Sequence, residues 1–325
     1  MFYYDERSAH MDRTTGWERY ARLLRSALGD RVHGFAGSMT GVAQRLLADW
    51  STVPLQVFGH RTDVHHFPTY PPSGPMNLRT LWTIHDLTWW LHRESASRLG
   101  RTYYPFLAAR AVERCSIVTD TKSIRHEVID HFGISEDRVH VVYPGATNLA
   151  PAEPAKRQKP YFLTVGTLEP RKNLKTLVDG FKASPVAKDY ELVIVGRVGW
   201  GSIPVGVTVL TAVDDAVLSS LYAGASAFVL ASLYEGFGLP LVEAVSCGLP
   251  IACSDIPVFR EVMSASNGEA VYFDPTEVES ISAALSASVS RVAIQEPGGL
   301  VLRSWDTAAA EMVELYQRLA DGNLS

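Results

Sequence analysis

The sequence predicts an α/β protein made of two doubly wound parallel-sheet domains that face each other across a cleft. Three observations predict it. Short apolar segments alternate with helical stretches along nearly all of the 325 residues, the pattern of a parallel sheet with helices on both faces. The alternation breaks once, at ATNLAPAEPAKRQKP (146–160), where Pro, Ala and Lys recur without an apolar period, as in an inter-domain linker. The charge balance changes at the same place. Residues 1–150 hold 17 Lys and Arg against 15 Asp and Glu, residues 151–325 hold 13 against 20, and all ten histidines lie in the first part. Two domains with different tasks are expected: residues 1–148, a linker over 149–160, residues 161–304, and a last helix over 305–325 that returns toward the first domain.

The elements follow in order. MFYYD reads as a strand that starts without a lead-in, as a strand clipped at its start would. Trp17, Tyr20, Ala21, Leu24 and Leu28 recur at helical spacing and Gly29 ends the run. Thr14, Thr15 and Gly16 form the turn before it. VHGFAG, a helix over Val42 to Ala48, DVHHFP and the strand LWTIHDL (Leu81 to Leu87) come next. A long helix over Ser97 to Arg114, the strand SIVTDT, a helix over Lys122 to Phe132 and the strand VHVVYPG complete the first domain. The second runs YFLTVG, helix Leu174 to Lys182, ELVIVG, VTVL, helix Asp215 to Ala223, AFVLAS, a helix from Leu239, PIACSD, helix Val258 to Met263, AVYFD and helix Val278 to Val289. Its strands are nearly continuous apolar runs, as in sheets covered on both faces. Trp305 to Ala320 closes the chain as an amphipathic helix.

Composition bounds the function. With 46% hydrophobic and 20% charged residues the chain can bury substantial cores. A formal charge of −5 and the absence of a basic run argue against nucleic acid. No apolar run approaches the length of a membrane span. Cys115, Cys247 and Cys253 lack metal or redox spacing, which favours a reducing cytoplasm.

The chemistry concentrates at ASLYEGFGLPLVEAVSC (Ala231 to Cys247). Glu235 and Glu243 flank a Gly-Phe-Gly turn, and the helix opening at Leu239 and Pro240 aims free N–H groups and its positive dipole end at the same space. That arrangement suits an anion, above all a phosphate. A tight strand-to-helix turn with two solvated glutamates is the alternative. TLEPRKN places Arg171 and Lys172 at another strand end, where a guanidinium fork and an ammonium point charge would match a diphosphate. The alternative for this pair is a solvated basic turn. RVGWGS, with Gly196, Gly199 and Gly201, would wrap a nucleobase or serve as a plain connection. In the first domain His85 and Asp86 end a strand, and His85 would bond a substrate hydroxyl or move a proton, or stand as a satisfied structural histidine. Trp89 and Trp90 would form an acceptor platform or a membrane-facing edge with Arg93, core packing being the alternative. His65 and His66 are adjacent, nothing completes a metal set, and no D-x-D pair occurs beside the proposed anion cradle. No metal and no cofactor are expected.

EGFGLPLVE (Glu235 to Glu243) resembles the E-x7-E motif of the retaining nucleotide-sugar glycosyltransferases of family 4, and the resemblance covers nearly the whole chain. GTLEPRKNL, LYAGASAFVLAS, CGLPIACSD, VYFDP and SWDTAAAEMVELYQ are similar to that family's C-terminal domain. TGWERYARLL, TIHDL and RVHVVYPGA are similar to its N-terminal, acceptor-side domain. The resemblance implies the GT-B fold of two Rossmann-like domains. It implies that Glu243 accepts hydrogen bonds from the donor ribose and that Glu235 faces the transferred sugar. The backbone amides of Phe237 and Gly238 would touch sugar or phosphate, and Arg171 and Lys172 would neutralise the leaving diphosphate. His85 would contact the donor near the reacting carbon. Gly16, Thr167, Gly196, Arg197, Gly236 and Leu239 would complete the donor site. Two departures stand out: Thr167 replaces an arginine common after the strand-ending glycine, and Gly16 stands alone where many members carry two glycines.

The expected activity is metal-independent, retaining transfer of a hexose or deoxyhexose, mannose or rhamnose favoured by the GTLEPRKN variant. The acceptor would be a glycan, lipid-linked or small molecule of bacterial polysaccharide synthesis. A nucleotide-sugar epimerase and a catalytically silent partner subunit are the alternatives. Peripheral contact with the inner face of the cell membrane is the membrane role expected.

Overall fold

The structure, a computed structural model, describes residues 1–8, 16–37, 42–92, 98–146, 149–199, 201–211, 213–290 and 298–323. Thr14, Thr15, Arg93, Ser97 and the start of the linker at 147–148 lie outside them. The chain forms two compact units, Met1–Gly145 with Arg303–Ser325, and Ala146–Leu302.

In the first unit β1 (Phe2–Asp5), β2 (His33–Phe35), β3 (Val64–Phe67), β4 (Thr80–Ile84), β5 (Ser116–Thr119) and β6 (Val139–Val141) form one sheet in the order β2-β1-β3-β4-β5-β6. Every pairing is parallel. Around it run α1 (Gly16–Leu28), α2 (Val42–Trp50), α3 (Thr52–Gly59), α4 (Thr88–Leu91), α5 (Arg98–Val112), α6 (Lys122–Phe132) and α12 (Trp305–Asp321). The Thr121 hydroxyl accepts from the Ile124 amide to start α6, and left-handed Gly133 ends it. Helix α12 belongs to this core: Met312, Leu315, Tyr316 and Leu319 pack with Tyr4, Tyr20, Leu24 and Val64. The Tyr316 hydroxyl meets His66 Nδ1 at 2.6 Å, while His66 Nε2 meets the Thr83 hydroxyl at 2.7 Å. Adjacent His65 points to the other face of the sheet, stacked on Tyr3.

Two helices of this unit escape the periodicity. TVPLQVFG (α3) carries β-branched residues and Pro54 in its first turn and leaves Leu55 and Phe58 exposed, so no apolar stripe marks it. α4 is a single turn after β4. The strand expected over 81–87 stops at Ile84, and the helix expected from Ser97 to Arg114 is described over Arg98–Val112.

The second unit holds β7 (Tyr161–Val165), β8 (Glu191–Val195), β9 (Thr208–Leu210), β10 (Ala227–Leu230), β11 (Ile251–Ser254) and β12 (Ala270–Phe273), again all parallel. The order is β12-β11-β10-β7-β8-β9. Its helices are α7 (Leu174–Ala183), α8 (Asp215–Gly224), α9 (Leu239–Ser246), α10 (Pro257–Ala265) and α11 (Val278–Ser288). This is the mononucleotide-binding order of a doubly wound sheet, whose strand sequence reverses between β7 and β10. Ligands of such sheets sit beyond the carboxyl ends of the strands at that reversal. Residues 149–160 form no helix or strand and pack on this unit. Ala155 donates its amide to Ser220 O at 2.9 Å, and Arg157 grips Glu191 with N···O distances of 2.9 and 2.8 Å.

Candidate active site

Strands β7 and β10 lie side by side with Phe228 opposite Leu163, so the segments leaving them, 166–173 and 231–238, emerge together. In the first, Pro170–Lys172 makes one 3₁₀ turn and Asn173 adopts a left-handed conformation (φ 53°) before α7. Its side chain explains the residue choice: Nδ2 donates to Pro275 O at 2.7 Å and Oδ1 accepts from the Thr176 hydroxyl at 2.7 Å. The turn thereby presents Arg171 and Lys172 to the second segment.

Both cations meet Glu235. Arg171 Nη1 donates to Glu235 Oε2 at 2.9 Å and to Tyr234 O at 2.7 Å, and its Nη2 donates to Glu169 Oε1 at 2.8 Å. The Lys172 ammonium and the Ser232 hydroxyl (2.8 Å) both donate to Glu235 Oε1. A backbone bond from Leu233 N to Arg171 O, 2.9 Å, locks the two segments. Burial pushes the Glu235 pKa up, but the charges of Lys172 and Arg171 and the bonds from Lys172 and Ser232 outweigh it and hold the pKa at about 2. The acid is therefore ionised throughout the physiological range. Two carboxylates, Glu169 and Glu235, balance two cations, so the cluster is neutral as it stands. The expectation of a solvated basic turn fails here, since the Arg171 and Lys172 side chains are each only 12% exposed.

Helix α9 starts at the same place. Gly238 sits at its N-cap with φ 86°, and a Cβ there would lie 2.9 Å from the Phe259 ring; a left-handed backbone and a crowded site both demand glycine. Gly236, Phe237 and Gly238 are buried, and Leu239 and Pro240 are half-buried in the first turn. One helical turn further in, Glu243 is 1% exposed and accepts from the Tyr222 hydroxyl at 3.0 Å. Tyr222 is itself fully buried on α8 and stacks on Phe228 of β10. The loop after β8 is no slack connection. Gly196 N bonds Leu210 O, Leu168 N bonds Arg197 O, and Gly201 N bonds Leu168 O. A Cβ on Gly196 would fall 1.8 Å from Gly166 O, so this backbone is pressed against the turn that carries half-buried Thr167. Arg197 itself is exposed.

The sequence-predicted residues of the first unit gather around the end of β4. His85 lies just beyond the strand, its Nδ1 2.6 Å from Asp120 Oδ2 and its Nε2 2.9 Å from Pro68 O. A carbonyl accepts only, so Nε2 carries a proton, and the second proton is shared between Nδ1 and Asp120. Burial lowers the His85 pKa, but Asp120, with the Pro68 carbonyl and Asp86, raises it overall. Tyr20 packs edge-on against the ring and Trp17 stacks on it. Both ring nitrogens are thus spent within the unit, the arrangement of a structurally satisfied histidine. A pocket opens beside it between Trp17, Thr69, Asp86, Trp89 and Trp90. Trp89 stacks on Tyr104 and Trp90 packs edge-on against Phe132, both half-buried. Gly16 begins α1 and has open space around its Cα.

Two family models match the chain consecutively: "Glycosyltransferase Family 4" over residues 13–147 and "Glycosyl transferases group 1" over residues 146–290. The chain belongs to the family 4 glycosyltransferases. Among curated relatives of the family, the O-antigen chain mannosyltransferase B of Escherichia coli is 30% identical over 233 residues, 62% of this chain and 60% of that protein. The O-antigen chain mannosyltransferase RfbU of Salmonella typhimurium is 30% identical over 215 residues, 62% of this chain and 59% of that protein. The chain thus matches these relatives over about three fifths of their length. Among solved structures, a sucrose-phosphate synthase from Thermosynechococcus elongatus superposes with a TM-score of 0.69 at 18% identity, covering 99% of both chains. The fold is the two-domain GT-B fold.

Sequence reasoning missed Glu169, Ser232, Tyr222 and Asp120. The first two were within reach, one lying two residues from Arg171 and the other three from Glu235. Asp120 ends the strand next to β4, so adjacency in a parallel sheet places it beside His85. Tyr222 carries no local signal, because its partner lies across α8 and α9. Also missed was the ion network at the end of β1. There Arg7, 1% exposed, bonds Asp5 through Nε (3.0 and 2.9 Å) and Nη2 (2.7 Å) and reaches Asp49 through Nη1.

Proposed function

We propose that the chain transfers mannose, with retention of anomeric configuration and without a metal, from a nucleotide diphosphate donor to a glycan acceptor in bacterial polysaccharide synthesis. The observation that carries this reading is the Glu235–Arg171–Lys172 cluster, which lies at the strand-order reversal of the second unit beside the N-terminus of α9. The relatives named above are O-antigen mannosyltransferases, which supports mannose and disfavours the epimerase and silent-subunit alternatives.

The cluster suggests how donor binding proceeds. It is neutral alone, so the diphosphate draws on the α9 N-terminus and on cations shared with Glu235. Lys172 is the better suited of the two, since an ammonium has three N–H groups and its bond to Glu235 uses one. Arg171, already held by Glu169, Tyr234 and Glu235, serves to fix the loop. Ionised Glu235 cannot act as an acid. Its charge faces the sugar while positive charge builds on the anomeric carbon, and the departing phosphate takes the acceptor proton. Glu243, with one oxygen held by Tyr222, accepts from the ribose hydroxyls.

The test is incubation with a panel of nucleotide diphosphate mannose and rhamnose donors and a lipid-linked or oligosaccharide acceptor, in chelator, with the product linkage read by NMR. A product of the donor's own anomeric configuration supports the proposal. An inverted linkage, or isomerised donor without transfer, refutes it.

A further inference from the structure

The two acids that balance Arg171 and Lys172 are held very differently. Glu235 accepts from Arg171, Lys172 and Ser232, and under the proposed function its charge faces the sugar. Glu169 has no such task. Among the described residues one donor, Arg171 Nη2 at 2.8 Å, meets its carboxylate. Glu169 stands at the N-cap of the 3₁₀ turn Pro170–Lys172 with an extended backbone (φ −138°, ψ 156°), yet its side chain caps nothing. The turn is closed instead by the backbone bond from Lys172 N to Glu169 O, 3.0 Å. A shorter Asp, Asn or Ser would serve the turn better. A longer acid, 10% exposed and set against one guanidinium, serves that guanidinium.

Arg171 does not need Glu169 to keep its place. Its Nη1 already donates to Tyr234 O at 2.7 Å and to Glu235 at 2.9 Å, and its carbonyl accepts from Leu233 N at 2.9 Å. What Glu169 adds is negative charge. Without it Arg171 and Lys172 would outweigh Glu235, and the space beside the N-terminus of α9 would become a strongly cationic anion site. Such a site suits a transferase badly. The donor is an ester of the terminal phosphate, whereas the product is the free diphosphate, which has one more ionisable oxygen and so more negative charge. A cationic site therefore holds product more tightly than donor, and product release limits turnover in many enzymes. An acid fixed on Arg171 offsets that bias.

We propose that Glu169 is a resident counter-anion of Arg171 that weakens the hold on the free nucleoside diphosphate, so that it leaves after transfer. The proposal rests on the donor-site reading of the second unit. The experiment is calorimetric titration of UDP, GDP, dTDP and ADP, in chelator, into wild type, Glu169→Gln, Glu169→Ala and Glu169→Asp. For the nucleotide that binds, the two variants without the charge should bind about tenfold more tightly than wild type. That gain should shrink in about 1 M salt, which screens it. Glu169→Asp keeps the charge and should stay within about threefold of wild type. A merely structural acid gives the opposite sign, since loosening the turn weakens binding. Gln matches Glu in size, and Ala gives the same readout if Gln misfolds, folding being checked by far-UV circular dichroism. Unchanged or weaker binding by the folded charge-removing variants, with wild type binding clearly, overturns the proposal and leaves the donor site standing. Binding by none of the four proteins overturns the donor-site reading and this proposal with it.

Discussion

Replacing Glu235 by Gln removes the negative charge that two partly buried cations share, and the structure sets the size of the effect. The folded-state pKa of about 2 against an ordinary 4.5 corresponds to about 3 kcal/mol of differential stabilisation of the ionised form at pH 7. Because the folded pKa is depressed, this contribution is fully present above the unfolded value and fades as pH falls through the folded one. At pH 3.5 about 2 kcal/mol should remain. The Glu235 side chain is 8% exposed, so solvent screening takes little from the sum. Urea unfolding of wild type and Glu235→Gln, followed by far-UV circular dichroism, measures the difference. Tryptophan fluorescence would follow mainly the first unit, since six of the seven tryptophans lie outside 146–302. The variant should be less stable by about 3 kcal/mol at pH 7, and the gap should narrow toward pH 3.5. A gap below about 0.5 kcal/mol at pH 7, or one that does not change with pH, would refute the electrostatic account of the cluster.

Other outcomes follow from neighbouring contacts. Gly238→Ala should lower stability by about 1–3 kcal/mol in thermal unfolding, through its φ of 86° and the Phe259 ring. Tyr222→Phe should weaken nucleotide binding several-fold while leaving turnover of saturated enzyme within about twofold, because it removes the hydroxyl that orients Glu243. Buried His66, with a pKa lowered to about 3 by burial and by His85, contributes stability above pH 6.5 that is lost below it. The first unit should therefore lose about 2 kcal/mol from this residue between pH 7 and pH 5, seen as an earlier acid transition by tryptophan fluorescence than by circular dichroism. Lys172→Ala should cut turnover by about 10²–10³-fold in a donor-saturated transfer assay.

The fold was legible because parallel sheets announce themselves. Buried strand segments such as AFVL (227–230) and LVIV (192–195) are uninterrupted apolar runs, and helices such as 122–132 and 174–183 carry both period and termini in the chain. What escaped was structure made by tertiary contact. Helix α3 has no stripe because Leu55 and Phe58 stay exposed while Val53 and Val57 are buried, which reads as irregular in sequence. At the site, Glu235, Arg171 and Lys172 were each identifiable by residue type at a strand end, but not that the cations would close on the acid and leave the cluster neutral. That depends on the side-by-side pairing of β7 and β10, which lie about 65 residues apart in the chain. His85 shows the same limit. Its position was readable, while its Asp120 and Pro68 partners come from neighbouring strand ends.

The central claim is that the second unit binds a nucleotide diphosphate where β7 and β10 end. Calorimetric titration of UDP, GDP, dTDP and ADP into wild type and Glu243→Ala, with chelator present, tests it most directly. The account predicts that one nucleotide binds wild type clearly in chelator and that the substitution weakens it at least about tenfold, as expected for a lost charged hydrogen-bond acceptor. Binding of none of the four, or equal binding by wild type and Glu243→Ala, would contradict it.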